Sequence, residues 1–329
     1  MNKLIAEHFY GKNILITGAD GFIGQALVNT LTQIKCHITA LSRTPAAVQI
    51  NSLAAYHNVV GDITDTDLIT KTIGKGVDIL FHLAARTSVA DSMTNPQLDL
   101  QTNQAATLEI LETMRGSGRS GTVIFASTVT VAGLTPADST DESQQERPIT
   151  LYDLHKLSAE HTLRIYAEQG WINGCSLRLA NVYGNSSGNQ GHCERNVFNR
   201  ILLNAMAGKT VSVYRPGNWI RDYIHLDDVI AAFLTAAVHS KTLSGRPYII
   251  ASGHGTTVED AFTLIVDRVK KEAGIDSSVQ LIDPPTKLCG IDLRHFTGNS
   301  QAFSSLTGWQ PQIGLIEGID KTIASILKT

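Results

Sequence analysis

The sequence predicts an α/β fold: a Rossmann-type doubly wound parallel sheet, followed by a smaller, discontinuous α/β domain towards the C-terminus. Three observations carry this reading. Apolar, β-branched runs alternate with helical segments through the first half, the pattern of parallel strands joined by helical crossovers and covered on both faces. The first run leads straight into the turn Gly18-Ala19-Asp20-Gly21-Phe22-Ile23-Gly24. Beyond Asn181 the alternation gives way to polar loops and scattered elements.

The elements follow in order. Asn13-Ile14-Leu15-Ile16-Thr17 reads as a buried strand and residues 21–34 as the helix after the glycine turn. Further strands are expected over 36–41, 58–62, 77–83, 122–127 and 176–180, with helices near 64–73, 98–116 and 152–169. The second half should hold a glycine-rich loop over 184–191, a helix near 195–207 and a strand over 210–214. Helices near 229–239 and 315–327 complete it, with Pro284-Pro285 as a break. The expected division is a dinucleotide-binding domain over 1–181 plus about 221–250, and a second domain over about 182–220 and 251–329.

Composition excludes several classes. A net charge of -3 offers no electrostatic basis for binding nucleic acid or an anionic membrane. Residues 1–8 hold no apolar run of signal length and no stretch approaches a membrane span, so a cytoplasmic protein is expected. Cys36, Cys175, Cys193 and Cys289 show no paired spacing and read as reduced thiols, with no metal site.

A glycine turn between a strand and a helix lets backbone N–H groups meet a pyrophosphate at the positive end of the helix. Gly18 permits the turn, Gly21 the close approach and Gly24 the helix–strand packing, with Asp20, Phe22 and Ile23 lining the same turn. The spacing Gly-x-x-Gly-x-x-Gly differs from the commoner Gly-x-Gly-x-x-Gly. After the second strand, Leu41-Ser42-Arg43-Thr44 lacks the acid that holds a ribose 2′-hydroxyl. Arg43 suits a 2′-phosphate, which favours NADP over NAD; a solvated Arg43, or one stacked on adenine, is the alternative. Asp62 can accept from an adenine amino group with Ile63 beside the ring, or can simply cap the turn before Thr64 and Asp65.

Tyr152 and Lys156 lie four residues apart and share a helix face. An ammonium beside a phenol favours the phenolate, and such a tyrosine can move a proton on and off an alcohol. Thr128 ends the fifth strand, at the crevice, where its hydroxyl can bond the reacting oxygen; Ser127 competes for that role. His155 falls inside the Tyr152/Lys156 motif but points elsewhere on the helix and reads as surface or packing.

In order along the chain stand Gly18-x-x-Gly21-x-x-Gly24, Asp62-Ile63, His82-Leu83-Ala84-Ala85, Asn103, Ser127-Thr128 and Tyr152-x-x-x-Lys156. Arg178-Leu179-Ala180-Asn181-Val182-Tyr183-Gly184 and Arg221-Asp222-Tyr223-Ile224-His225-x-Asp227-Asp228 follow. This set resembles the extended short-chain dehydrogenase/reductases, in particular the NAD-dependent epimerase/dehydratase group acting on nucleotide sugars. The resemblance implies that Leu83, Ala84 and Ala85 line the cofactor and that Asn103 braces it. It implies contacts from Tyr152, Lys156 and Ser127 to the cofactor. Asn181, Asn196, Arg221 and Arg294 would bind the diphosphate, and Ser88 and Thr128 would face the sugar. For Arg221 an ion pair with Asp222 or Asp227 is the competing reading.

Departures narrow the activity. The group's 4,6-dehydratases carry Thr-Asp-Glu where this chain has Thr128-Val129-Thr130, and many 4-epimerases carry a tyrosine where Ala132 precedes Gly133. The expected activity is hydride transfer at C4 of a nucleoside-diphosphate hexose, first as a 4-ketoreductase and alternatively as a 4-epimerase with bound NAD. A dehydrogenase of an apolar alcohol or ketone is the remaining alternative. The resemblance also implies a homodimer through the helices over 98–116 and 152–169.

Overall fold

The computed structural model describes residues 3–46, 52–118, 120–135, 139–185, 196–285, 288 and 290–328. The loop expected over 184–191 falls largely outside these residues, as do Cys193 and Cys289.

Fourteen strands lie among the described residues: β1 (Asn13–Thr17), β2 (His37–Ser42), β3 (Ala55–Val60), β4 (Ile79–His82), β5 (Thr122–Thr128), β6 (Ser139–Thr140), β7 (Asn173–Leu179), β8 (Asn181–Tyr183), β9 (Val211–Tyr214), β10 (Ile220–His225), β11 (Pro247–Ile250), β12 (Gly255–Thr257), β13 (Val279–Ile282) and β14 (Thr297–Gly298). Seven form one sheet in the order β3-β2-β1-β4-β5-β7-β11, and every pairing in it is parallel. Strand order reverses between β1 and β4, which opens a crevice above their carboxyl ends. The doubly wound sheet is therefore as expected.

Alternation along the strands fills both faces. Ile14, Ile16, Phe81 and Ile124 join one core; Leu15, Leu80, Val123 and Phe125 join the other. A third core, around Tyr183, Phe198, Leu202, Val213, Ile265 and Ile319, lies outside the sheet layers. Residues 226–250 return to the sheet as the helix Leu226–Val238 and the edge strand β11.

Some elements differ from expectation. β3 begins three residues before the expected 58–62, because an edge strand open on one side needs no continuous apolar run. β11, only Pro-Tyr-Ile-Ile, is too short to stand out by periodicity. The helix expected over 98–116 is three pieces: Pro96–Leu100, a π-helical turn Gln101–Ala105, and Ala106–Gly116. The helices Lys3–Phe9 and Val89–Thr94 were not expected. Cys36 and Cys175 are buried free thiols whose pKa burial raises to about 11 and about 12.

Candidate active site

The glycine turn sits at the reversal point. Gly18 has φ +69°, and a Cβ there would lie 2.8 Å from the Ala84 backbone, so only glycine lets the turn touch the segment after β4. A Cβ on Gly24 would lie 2.1 Å from the Gly18 carbonyl, so Gly24 holds the helix Phe22–Leu31 against the turn. Gly21 caps that helix without a side-chain hydrogen bond, and its own Cβ would meet only the Gly18 carbonyl at 3.1 Å. The helix end is thus presented as bare N–H dipoles. Asp20 accepts the Thr44 hydroxyl at 2.5 Å, tying the turn to the segment after β2.

A polar chain fastens the floor of the crevice. Thr107 donates to the Asn103 carbonyl at 3.0 Å, so His82 Nε2–H must donate to Thr107, 3.0 Å away. His82 Nδ1 then accepts the Thr17 hydroxyl at 2.7 Å, while Thr17 accepts from Ala84 N–H at 3.3 Å. Burial, and secondarily Lys156, lower the His82 pKa to about 3 and keep the ring neutral. Asn103 clamps both backbone groups of Arg86 at 2.9 Å, and the π-helical turn is what aims it there. Leu83, Ala84 and Ala85 therefore run along a braced segment.

Other cofactor candidates divide. Arg43 is exposed, whereas Ser42 is buried and donates to the Thr44 carbonyl at 2.7 Å. Asp62 accepts from the Thr64 N–H and hydroxyl, the turn-cap geometry, through its Oδ1 alone. Ile63 is buried in the core beneath, with Leu41 and Ile69. Ser127 is 5% exposed and its hydroxyl finds no partner among the described residues, an orphan at the crevice.

Tyr152 and Lys156 stand on the helix Leu151–Glu168, capped by Thr150. Ser92 accepts the Tyr152 N–H at 3.1 Å, which seats the helix start on the helix Val89–Thr94. Ser88 caps that shorter helix by accepting from Asp91 N–H at 3.1 Å. Lys156 is buried with its Nζ 3.9 Å from the centre of the Phe125 ring. Burial lowers its pKa to about 7, opposed by Glu160 and Asp99. The expectation that Lys156 lowers the Tyr152 pKa does not hold. Burial, with Asp153 and Asp99 adding to it, holds the phenol above its usual value, and an amine near pKa 7 carries only part of a charge at neutral pH.

Two carboxylates in this helix region escaped the sequence reading. Asp99 is fully buried, 2.7 Å from His155 Nδ1, and accepts from Asn103 at 3.0 Å. His155 is accordingly buried packing, not surface; the i,i+4 pair Asp99/Asn103 was the available signal. Asp153 accepts hydroxyls from Thr150, at 2.6 Å, and from Thr130. Thr130 also lies 2.9 Å from the Thr128 hydroxyl and donates its N–H to it at 3.2 Å. This chain ties Thr128 to the helix that carries Tyr152.

The later motifs are partly architectural. Arg178 is buried against Glu160 and Glu146, at 2.7 Å from each. Asp222 accepts from Ser252, Gly253 and Gly298, and Asp228 from Gln312 and Ile313. Arg221 pairs with neither Asp222 nor Asp227, contrary to the competing reading. Its guanidinium donates to the carbonyls of Ile220, Asp292 and Arg294. Arg294 lies close to it, its pKa lowered to about 10 by burial and then by Arg221; Asp153 and Asp292 oppose. Asn181 donates to the Asp222 carbonyl at 3.0 Å. Asn196 caps the helix Val197–Met206 and also donates to the Val182 carbonyl.

Residues 14–251 match the NAD dependent epimerase/dehydratase family. The chain belongs to that family. It is 30% identical to a UDP-glucose 4-epimerase of Mycolicibacterium smegmatis over 94% of this chain and 96% of the relative. It is also 30% identical to the dTDP-glucose 4,6-dehydratase of Escherichia coli, over 94% and 92%. The crystal structure of the Thermotoga maritima UDP-glucose 4-epimerase with UDP-glucose superposes with a TM-score of 0.82 at 27% identity, covering 96% of this chain and 99% of that one. Among the described residues, no helix is long and apolar enough to cross a membrane and no group of His, Cys, Asp or Glu side chains is placed to hold a metal.

Proposed function

We propose that this protein is a nucleotide-sugar 4-epimerase working with bound NAD, the second of the two nucleotide-sugar C4 readings drawn from the sequence. The observation that carries it is the near-full-length match to a UDP-glucose 4-epimerase. The dehydratase match is as high, but Val129 and Thr130 are buried and offer no acid pair at the end of β5. The family is described as NAD dependent, which supports NAD; the preference for NADP rests on Arg43 and the missing acid after β2.

The residues present fit a nicotinamide dinucleotide. The bare helix end at Gly21 suits a pyrophosphate, and the orphaned Ser127 hydroxyl gains a partner there. Phe22, Ile23, Asp62, Ile63, Ala84, Ala85 and Asn103 complete the proposed cofactor wall. NAD held there would supply the acceptor, and then the donor, of the hydride exchanged with the sugar carbon. Tyr152 exchanges the proton of the reacting hydroxyl, and Thr128 bonds the same oxygen. Lys156 bonds the ribose. Arg221 and Arg294, adjacent cations whose guanidinium groups donate to backbone carbonyls among the described residues, favour a diphosphate, with Asn181 and Asn196 contributing to the same subsite and Ser88 on the sugar side.

The test is direct. Interconversion of UDP-glucose and UDP-galactose without added cofactor is expected. If the protein instead only consumes NADPH with a 4-keto-6-deoxy nucleotide sugar, the ketoreductase reading, favoured by Arg43 and the missing acid after β2, replaces it.

A further inference from the structure

Asp153 has no exposed surface. Thr150 donates its hydroxyl to Oδ2 at 2.6 Å and Thr130 donates its hydroxyl to Oδ1. Burial raises its pKa; its two hydroxyl donors and then Arg294 oppose that, and Tyr152 is its neighbour on the same helix. A threonine hydroxyl has one proton. With the Thr130 proton committed to Asp153, the 2.9 Å contact between Thr130 and Thr128 must be donated by Thr128. The Thr128 oxygen also accepts the Thr130 N–H at 3.2 Å. What remains on Thr128 is one lone pair and no free proton.

We infer that Asp153 is a positioning residue that, through Thr130, holds the Thr128 hydroxyl as a hydrogen-bond acceptor towards the reacting oxygen, so that the resting site selects a carbinol over a ketone. The inference rests on the epimerase reading and deepens it. An epimerase meets its substrate as the alcohol, whose O–H can donate to Thr128 in the resting complex and turns to Tyr152 only as the hydride leaves; a ketoreductase meets a carbonyl, which needs a donor. A neutral Asp153 would reverse the chain. It would donate to Thr130, Thr130 to Thr128, and Thr128 would then be free to donate to a ketone.

The full-length protein gives two readouts. Selective 13Cγ labelling of aspartate, with Asp153→Asn to assign the resonance, reports whether the carboxyl is ionised at pH 7. An ionised group is expected, whose titration moves to higher pH in Thr130→Val and returns in Thr130→Ser. A protonated group, or one indifferent to Thr130→Val, overturns the inference. Calorimetry then compares UDP-6-deoxyglucose with UDP-4-keto-6-deoxyglucose, both in a Tyr152→Phe background loaded with NAD so that neither turns over. The hydroxyl ligand should bind about tenfold tighter, the worth of one hydrogen bond. Thr130→Val should erase that preference and Thr130→Ser keep it. Equal binding of the two ligands before Thr130 is altered, or a uniform loss of both in Thr130→Val, also overturns it. If neither ligand binds, the nucleotide-sugar reading has failed, and the carboxyl measurement alone decides the direction of the hydroxyl chain.

Discussion

Tyr152, Lys156 and His82 show how environment redefines a side chain. The phenol is held high and the amine low by burial, so proton transfer depends on what enters the crevice. Tyr152→Phe is expected to lower the rate of epimerisation by about 10²–10⁴-fold, the worth of a general acid/base, while leaving nucleotide-sugar affinity within a few fold; steady-state kinetics and calorimetry read the two effects separately. His82 makes a pH-dependent contribution to stability. Its pKa falls from 6.5 in the unfolded chain to about 3 in the fold. The unfolded chain therefore takes up the proton first as pH drops. Stability is expected to fall from about pH 6.5 downwards, by up to about 1.4 kcal/mol per pH unit. Urea unfolding at a series of pH values should give that slope, and His82→Gln should flatten it.

At the scale of elements, the crevice is a set of contacts between segment ends. Gly24 joins a turn to a helix so closely that the Cβ of Gly24→Ala would sit 2.1 Å from the Gly18 carbonyl and must push it away. At least a tenfold loss of NAD affinity is expected, with the sheet intact by circular dichroism. Arg178 binds β7 to the helix Leu151–Glu168 through Glu160, in a pair whose side chains are each 3% exposed. Removing one partner leaves a buried charge. Arg178→Met should destabilise by about 3–5 kcal/mol, measured by the urea midpoint. The carboxylates of Asp222 and Asp228 act likewise between elements, gathering backbone N–H groups from segments up to 85 residues away.

At the scale of the whole molecule, Leu98, Leu108, Leu154 and Ile165 stand 44–50% exposed on the helices expected to pair two copies, whereas Leu163 is core. We propose a homodimer across this face. Leu108→Glu combined with Leu154→Glu should yield a monomer by light scattering, while the wild-type protein remains a dimer. The division into two units is likewise a proposal; the third core and the return of residues 226–250 to the sheet are what support it.

The sequence by itself determined what depends on short range. Apolar runs and helical crossovers specified the parallel sheet, the glycine turn marked the helix end, and the four-residue spacing put Tyr152 and Lys156 on one face. These follow from backbone periodicity and local sterics, which neighbouring residues decide. Only the tertiary structure decided which polar groups meet. Asp99 reaching His155, Thr130 reaching Asp153, Asn103 clamping Arg86 and Arg221 turning to carbonyls all join parts of the chain that no local pattern links. The raised phenol and the lowered amine belong to the same class, because desolvation is set by everything packed around a group and by nothing in its own segment.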